Sequence, residues 1–460
     1  MIPEKFKEKM KDVLEDEYSV FIDALENQDA VRGMRVNLLK TSVENFLEKS
    51  PFKLDAIPYV SNGFILREQR QMGASAYHHA GMVYMQDPGA MSTLAAIDIQ
   101  PHWWVLDTCS APGGKSSQVA ERLSEEGFLL SNEYVPKRAK IIVGNFERLG
   151  VRNAMVTSLD TKELSKMYSA IFDLVIVDAP CSGEGMFRKS EEALTDWSEE
   201  NVRICQQRQR EILENAQSTV KPGGYLLYST CTYSPDENEE VIADFLSSHT
   251  DFKLVQVKAD LKAKTRSGIR KYAVDTENIE YARRFYPHVT DGEGQFVALM
   301  QRDKNATNKS SILYKDESKP LSKQEKAVIE QFFKEALIKA PEGKIAKVGD
   351  NIVLIAHKCP VPKMSTFMSG VLLGEIKGST FSPSHQFFSA YGELFKAREN
   401  LTEQDERTNK YLQGEEIDAS SNIKGWCAVF FEGAALGGGK ASGGKIKNHY
   451  PKGLRIKNNF

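Results

Sequence analysis

The chain has 460 residues, with 60 Lys or Arg against 63 Asp or Glu and a formal net charge of −3 at pH 7. Apolar residues make up 41% of it and charged residues 27%, which suits buried cores and excludes disordered and collagen-like proteins. No run approaches the roughly 20 consecutive apolar residues of a bilayer span. Because the charged N-terminus also lacks the apolar run of a signal peptide, we expect a cytoplasmic protein that does not enter a membrane.

The length corresponds to about three domains at roughly 150 residues each. In chain order, a mixed helix and strand module fills about the first hundred residues, and strand and helix patterns alternate through about the next two hundred. The polar segment 303–320 predicts a linker. After it, Ser322 and Glu325 have the spacing of a capping box before an amphipathic helix, so a second folded unit is expected there.

Four short apolar runs in the middle region are each followed by a segment of helical periodicity; they lie at 103–108, 127–132, 171–178 and 223–230. This alternation predicts an α/β fold with a mostly parallel sheet and crossover helices. Sheets of this kind bind ligands beyond the carboxyl ends of their strands. The polar residues that follow these strands are therefore the candidates for a functional site.

The first of these strands runs into a glycine turn, Cys109–Lys115, in which Gly113 and Gly114 allow backbone to approach a ligand closely. The helix that begins near Lys115 offers free N–H groups, as nucleotide-binding turns do. The ending GKS also resembles a P-loop, but the first glycine of the P-loop pattern GxxxxGK is absent here. A P-loop NTPase and a turn without any ligand are the alternatives at this point.

Acidic residues stand at the ends of the following strands. Glu133 comes about twenty positions after the glycine turn, where a carboxylate can accept hydrogen bonds from ribose hydroxyls. NAD fits this spacing too, although CSAPGGK is not the GxGxxG pattern of dinucleotide-binding turns. Asp160 and Asp178 add acids at two further strand ends. The series indicates one pocket, although any single acid there could be only a solvated strand terminus.

Two of the six cysteines also follow buried strands: Cys181 in DAPCSG and Cys231 in STCTYS. Because both strands end on the same side of the predicted sheet, we expect the two thiols to share the pocket. A buried cysteine is more often an inert small hydrophobe, but these two are flanked by Pro, Gly and polar residues. The helix expected after the turn 235–238 favours a thiolate, whereas the acids of that turn oppose it.

A thiolate beside a methyl donor is what methylation at C5 of a pyrimidine requires. Attack of the thiolate on C6 makes C5 nucleophilic; C5 takes the methyl group, a base removes its proton, and the thiolate leaves. Asp178 could hydrogen-bond N3 or the amino group of a cytosine. Methylation of an exocyclic amine uses an aromatic ring where this chain has Cys181. The spacing leaves open which cysteine attacks, and DNA cytosine methyltransferases use one that follows a proline, as Cys181 does.

Several motifs run through about the first 300 residues: RGMRVNLLK (32–40), DTCSAPGGK, SNEY, SLD, DAPCSG, KPGGYLLYSTCTYSPDENE and RRFYPHVTDGEGQFVA (283–298). With them the chain resembles the NOL1/NOP2/Sun family of RNA cytosine-C5 methyltransferases. The resemblance implies a Rossmann-like class I methyltransferase domain with a mostly parallel seven-stranded sheet. It also implies that Cys231 is the nucleophile, that Cys181 assists product release and that Asp178 lies in the catalytic loop.

The resemblance further implies S-adenosylmethionine as the cofactor and no metal. Glu133 would bind its ribose and Asp160 would lie near its adenine. The implied contacts, carried over position by position, are Cys109, Ser110, Ala111, Pro112, Gly113, Gly114, Lys115, Glu133, Arg138, Asp160 and Asp178. The remaining cysteines, Cys205, Cys359 and Cys427, are expected to be structural.

The implied division of the chain is an N-terminal RNA-binding module at 1–95, the catalytic domain at 96–302, the linker at 303–320 and a PUA-like RNA-binding region at 321–460. The expected substrate is a cytidine of 16S ribosomal RNA, with transfer RNA as the nearest rival and a catalytically idle RNA-binding protein as a further alternative. We expect a monomer, and a target base that leaves its stack to reach the thiolate.

Positive charge gives candidate RNA contacts. Residues 437–460 contain six Lys or Arg and no Asp or Glu, on an otherwise acidic chain. Such residues could equally well only solvate the surface. The candidates are Arg35, Lys40, the segment 262–271 and the basic residues of 437–460.

Overall fold

A computed structural model describes residues 2–69, 71–363 and 365–456 of the protein. A central ten-stranded sheet is flanked by a four-stranded N-terminal sheet and by two further sheets of four and five strands in the C-terminal region. None of the helices in these ranges is both long and apolar enough to cross a bilayer.

The N-terminal module begins with two helices, Glu4–Leu14 and Tyr18–Asn27. The first buries Phe6, Met10 and Val13, whose spacing of four and three residues places them on one helix face. An antiparallel sheet follows, with the strand order Leu54–Ala56, Gly63–Leu66, Gly33–Val36 and Val83–Met85. The shorter helices of this module are Val43–Lys49, Ala76–His79 and Pro88–Ser92.

Five parallel strands form the middle of the central sheet, in the order Ala154–Thr157, Phe128–Asn132, Trp104–Asp107, Phe172–Asp178 and Val220–Thr230. They include the four strands predicted from the apolar runs, so the predicted α/β fold is confirmed. Antiparallel strand Gln295–Arg302 pairs with the last of them. The helices that accompany these strands are Gly114–Ala120, Pro136–Leu149, Thr161–Met167, Glu191–Asp196, Glu199–Gln217, Glu239–Ser248 and Ala259–Ala263.

Both faces of this sheet are buried, which explains why the strands are apolar throughout instead of alternating with polar residues. Successive residues point to opposite faces: Leu106 and Val175 belong to one hydrophobic core, whereas Val105 and Leu174 belong to another. The polar residues that follow the strands therefore gather beyond the carboxyl ends of the strands.

The sheet has three more strands than the seven expected. Strands Phe252–Leu254 and Arg283–Phe285 both pair with Gln295–Arg302, and Arg266–Ser267 extends that edge. At the opposite edge, Thr366–Ser369 from the C-terminal region pairs antiparallel with Ala154–Thr157.

The segment 303–320, predicted as a linker, makes ordered contacts with the catalytic region. Its strand Ser311–Ile312 pairs with Tyr168–Ser169, and the hydroxyls of Tyr314 and Tyr168 lie 2.8 Å apart. The C-terminal region is thus attached to the catalytic region at two separate places. The expected domain boundaries remain a prediction.

The C-terminal region begins with helix Lys323–Ala336, where the predicted capping box of Ser322 and Glu325 is present. Four antiparallel strands follow: Lys344–Val348, Asn351–Ile355, Val371–Lys377 and Thr380–Pro383. The five-stranded sheet has the order Ala397–Leu401, Gly425–Phe431, Ala434–Ser442, Lys445–Asn448 and Ile417–Asp418. Its accompanying helices are His385–Tyr391 and Glu406–Gln413.

Two of the expected RNA contacts are wrong because their charges are enclosed. Arg35 has no exposed surface; its guanidinium pairs with Glu121 and donates to Ser117 Oγ (2.7 Å) and to the carbonyl oxygen of Gly114 (3.3 Å). Lys40 Nζ donates to acceptors in the C-terminal region, including the carbonyl oxygen of Ala435 (2.8 Å), and burial lowers its pKa to about 7. Both residues connect domains.

Arg35 offers a test of this packing. Replacement by Ala leaves the Glu121 carboxylate buried without its partner, so Arg35→Ala should lower the unfolding free energy by about 3–5 kcal/mol in urea denaturation. The matched control is the exposed pair of Arg67 and Asp55 in the same N-terminal sheet, where Arg67→Ala should cost less than about 1 kcal/mol. If Arg35→Ala and Arg67→Ala lowered the unfolding free energy equally and only slightly, the ion pair of Arg35 and Glu121 would not be enclosed as described.

Candidate active site

The centre of the site is a pair of cysteines at the ends of two neighbouring parallel strands. Asp178, the last residue of one strand, lies opposite Ser229 on the other. Cys181 and Cys231 follow shortly after these two residues, and their sulfur atoms are 3.3 Å apart. Both are free thiols and partly accessible. The structure thus brings together the two cysteines that the sequence placed in one pocket.

Lys115 and Asp178 form an ion pair beside these thiols. Asp178 Oδ2 accepts from Lys115 Nζ (2.8 Å), and its Oδ1 accepts from Ser229 Oγ (2.7 Å). Burial opposes the charge of Lys115, but the Asp178 carboxylate outweighs it and raises the lysine pKa above its ordinary value. Lys115 is therefore positively charged, and it is held toward Asp178 instead of being free for a phosphate, as a P-loop would require.

The glycine turn is fastened to the neighbouring strand. Ser110 donates from its backbone N–H (2.9 Å) and from its Oγ (2.8 Å) to the carbonyl oxygen of Asn132. Gly113 has a φ of +106°, a backbone conformation that residues other than glycine rarely adopt, and the helix begins at Gly114. Cys109, Ala111 and Pro112 complete the turn next to Glu133.

Glu133 has the geometry of a ribose acceptor. Its Oε1 accepts from the Val135 N–H (3.0 Å) and from Arg138 (3.5 Å), and within the described ranges no residue hydrogen-bonds its Oε2. Arg138 also donates to the Ala111 carbonyl oxygen (3.2 Å), so it joins the turn to the acid. A buried carboxylate with a free oxygen beside a glycine turn fits the diol of S-adenosylmethionine.

Asp160 lies farther out. It is exposed, and its Oδ1 accepts the Glu163 N–H (2.8 Å) at the start of helix Thr161–Met167. Helix capping accounts for an aspartate at this position without any ligand. Its expected place near the adenine remains a prediction.

Two buried carboxylates near the cysteines were missed by the sequence analysis. Glu184 and Glu237 have no exposed surface. Glu237 accepts a hydrogen bond from Ser182, which follows Cys181, and Glu184 accepts one from Tyr233, two residues after Cys231. Within a run such as SPDENEE an acid looks like a solvated surface residue. The available signal was position, because each glutamate comes within six residues of a candidate cysteine.

An aromatic cluster holds the cysteine loops from the other side. Phe187 follows the Cys181 loop and packs against Phe6 of the first helix; Tyr233 follows Cys231 and packs against both Phe6 and Phe21 of the N-terminal helices. The N-terminal module thus closes one wall of the site. Its contribution there is packing by apolar side chains together with Lys9, which pairs with Asp236 and donates to Ser234 Oγ (2.9 Å).

The other cysteines are unsuited to nucleophilic chemistry. Burial raises the pKa of Cys109 to about 12 and that of Cys205 to about 11. Burial likewise raises the pKa of Cys359 and of Cys427 to about 12. In residues 2–69, 71–363 and 365–456, no three His, Cys, Asp or Glu side chains form a group that could hold a metal ion.

Comparisons with known proteins agree with this geometry. Three family models match: 16S rRNA methyltransferase RsmB/F at residues 94–301, the N-terminal domain of 16S rRNA methyltransferase RsmF at 2–88, and the methyltransferase RsmF PUA domain at 398–456. The chain is 31% identical to ribosomal RNA small subunit methyltransferase F of Vibrio vulnificus, covering 100% of this chain and 99% of that one.

Two further relatives give the same picture. The protein of the same name from Psychromonas ingrahamii is 29% identical and covers 100% of this chain and 98% of its own. A solved methyltransferase homolog from Pyrococcus horikoshii is 29% identical, with a TM-score of 0.55 over 63% of this chain and 92% of that one.

The fold and these comparisons together define a class I methyltransferase that uses S-adenosylmethionine to methylate C5 of cytosine in RNA. The chain belongs to the ribosomal RNA small subunit methyltransferase F family. This assignment excludes the P-loop NTPase.

Glu133 gives a test of the cofactor site. Glu133→Gln removes the charge that strengthens a hydrogen bond to a ribose hydroxyl, so the affinity for S-adenosylmethionine should fall about tenfold or more in calorimetric titration. Glu163→Gln, an exposed change near Asp160, is the control and should bind as the unaltered protein does. Unchanged binding in Glu133→Gln would contradict the ribose contact.

Proposed function

We propose that this protein methylates C5 of a cytidine in 16S ribosomal RNA through a covalent bond between Cys231 and C6 of the base. The observation that carries the proposal is the 3.3 Å separation of the Cys181 and Cys231 sulfurs beside the Asp178–Lys115 pair. Few other chemistries need two thiols, one acid and a methyl donor together at the carboxyl ends of neighbouring strands.

The reaction begins when the Cys231 sulfur bonds to C6 and the π electrons of the C5=C6 bond move toward C5 and N3. Asp178 would accept a hydrogen bond from the amino group of the cytosine, and Lys115 and Ser229 fix the orientation of its carboxylate. S-adenosylmethionine, when bound, supplies the methyl group that C5 takes. A base then takes the C5 proton; the electrons of the C5–H bond re-form the C5=C6 double bond, and the electrons of the C6–S bond leave with the Cys231 sulfur as a thiolate.

The two thiols have different roles because their environments differ. The hydrogen bond with Cys231, followed by burial, raises the pKa of Cys181 well above its ordinary value. Cys181 therefore remains a neutral thiol, which is a poor nucleophile. Its S–H can donate to the Cys231 sulfur as that sulfur leaves the base, and this donation would stabilise the departing thiolate. Cys231 is accordingly the nucleophile, and Cys181 assists product release.

Two variants test these roles. Cys231→Ala should abolish methyl transfer from labelled S-adenosylmethionine to 16S ribosomal RNA and leave cofactor binding nearly unchanged. Cys181→Ala should instead accumulate a protein–RNA adduct that survives denaturing electrophoresis, because release of the thiolate is slowed. An adduct that forms with Cys231 removed and Cys181 present would reverse the assignment.

The substrate is proposed from the relatives' names and from the PUA match. Transfer RNA remains the nearest rival, and methylation assays with both RNAs decide between them. A catalytic site of this kind needs the target base extruded, which favours a single-stranded or locally melted stretch. The proposal includes a cytoplasmic monomer without a metal, with RNA binding by the modules at 1–95 and 321–460.

The surface of the five-stranded C-terminal sheet is suited to RNA. Exposed Lys440 lies over the ring of Trp426 at 5.7 Å, and Lys424, Lys447 and His449 are exposed around them. Lysines contact phosphates, and an accessible indole gives a base a stacking platform. In the segment 262–271, by contrast, Arg266, Arg270 and Lys271 pair with acids of this chain, whereas Lys262 and Lys264 are exposed. Lys457 lies outside the described residues.

The double variant Lys440→Ala/Lys447→Ala should weaken binding of 16S ribosomal RNA and lower the slope of log affinity against log salt by about one to two, because two phosphate contacts are lost. Filter binding over a salt series measures both. The control is Lys253→Ala/Lys304→Ala, which removes two exposed lysines beside strand Gln295–Arg302 of the central sheet. If both double variants behave alike, this surface is not the RNA contact.

A further inference from the structure

Behind Cys181 lies a buried carboxylate that the reaction steps above do not use. Glu237 Oε2 accepts the Ser182 N–H (2.9 Å) and Gln209 Nε2 (2.8 Å), and its Oε1 accepts from the Ser182 hydroxyl. Ser182 directly follows Cys181 in the chain. Two of these three donors belong to Ser182, so they fix the loop that carries Cys181 to this side chain.

The same network reaches the Cys231 loop. Ser182 Oγ lies 2.9 Å from Thr232 Oγ1, so the residues that follow the two cysteines touch each other. Thr232 Oγ1 also donates to Glu184 Oε2 (2.9 Å). The distance between the two sulfurs therefore depends on these buried hydrogen bonds and not only on the ends of the strands.

Opposite charges lie near the two cysteines. Glu237 accepts a hydrogen bond from Ser182, the residue next to Cys181, whereas Lys115, which is paired with Asp178, interacts electrostatically with Cys231. A negative charge disfavours a neighbouring thiolate and a positive charge favours one. The arrangement therefore favours a thiolate at Cys231 over a thiolate at Cys181.

We propose that Glu237 is the positioning residue behind the difference between the two cysteines: its hydrogen bonds hold the Cys181 loop against the Cys231 loop, and its buried negative charge lies on the Cys181 side of the pair. This inference rests on the proposed function, because it explains why Cys231 and not Cys181 is the nucleophile. Glu237 itself has no exposed surface, so we place it outside the groups that contact the base or the cofactor.

Glu237 titrates near neutrality. Burial and the charge of Glu184 raise its pKa to about 7, and the hydrogen bonds from Ser182 and Gln209 oppose the rise. Below pH 7 the carboxyl is neutral and its effect on Cys181 is weak; above pH 7 it is charged and the effect is present. The other titratable groups facing this region are Lys9 of the first helix, Cys205 of helix Glu199–Gln217, Tyr228 of the strand and Asp236.

The test is competitive alkylation of the full-length protein with iodoacetamide, without RNA or cofactor, from pH 6 to 9. Mass spectrometry counts the label on Cys181 and Cys231. In the unaltered protein, Cys231 should react about tenfold faster than Cys181 above pH 7, because the thiolate is the reactive form and Cys181 stays protonated. In Glu237→Gln the ratio should fall severalfold, as Cys181 becomes more reactive. A glutamine keeps one oxygen for the N–H donors and can donate to the Ser182 hydroxyl, so the fold should persist.

Glu240→Gln is the matched control, because Glu240 lies nearby but bonds Gln206 and not the cysteine loops. Its alkylation ratio should equal that of the unaltered protein. In activity assays Glu237→Gln should lower kcat and leave KM for RNA within about twofold. A ratio that is unchanged in Glu237→Gln would overturn the proposal.

The pH profile of the unaltered protein gives a second measurement that needs no variant. The preference for Cys231 should rise as the pH passes through about 7. A profile that is flat through this range would also overturn the role of Glu237. Alkylation reports the state of the thiols whether or not RNA is methylated. Activity retained in Cys231→Ala would instead refute the proposed function, so the two failures can be told apart.

Discussion

The register between two parallel strands is the constraint on which the site depends. Because Asp178 lies opposite Ser229, the chain leaves both strands at the same level, and two short loops then bring Cys181 and Cys231 to within 3.3 Å of each other. A shift of one residue in this pairing would turn one of the strand-end side chains to the other face of the sheet. The acid, its lysine partner and the two thiols share a pocket only in the register that is present.

Buried charge distinguishes the two sides of that pocket. A carboxylate without exposure is costly unless hydrogen bonds compensate it, and Glu237 has three donors while Glu184 has its own partners in Thr232, Tyr233 and Trp197. Such a network is rigid because each member needs the others. The same interactions that satisfy the acids fix the cysteine loops, so structural and chemical requirements coincide here.

The sequence predicted the parts of this site that follow directly from strand ends. Apolar runs located the strands. The residues that follow these strands, from the glycine turn to Cys231, lie beyond the carboxyl ends of the sheet. It failed where burial had to be known: Arg35 and Lys40 looked like RNA contacts, yet their charges are enclosed between domains. Glu184 and Glu237 looked like surface acids for the converse reason. Pairing of residues distant in sequence, such as Thr366–Ser369 with Ala154–Thr157, leaves no local pattern to read.

The central claim concerns which sulfur bonds to the base, and peptide mapping of a trapped complex tests it most directly. A fluorine at C5 of the target cytidine cannot leave as a proton does, so RNA that contains 5-fluorocytidine should remain attached after methyl transfer in the unaltered protein. Digestion and mass spectrometry then locate the attached nucleotide. The account predicts attachment at Cys231; a nucleotide found on Cys181 would contradict it.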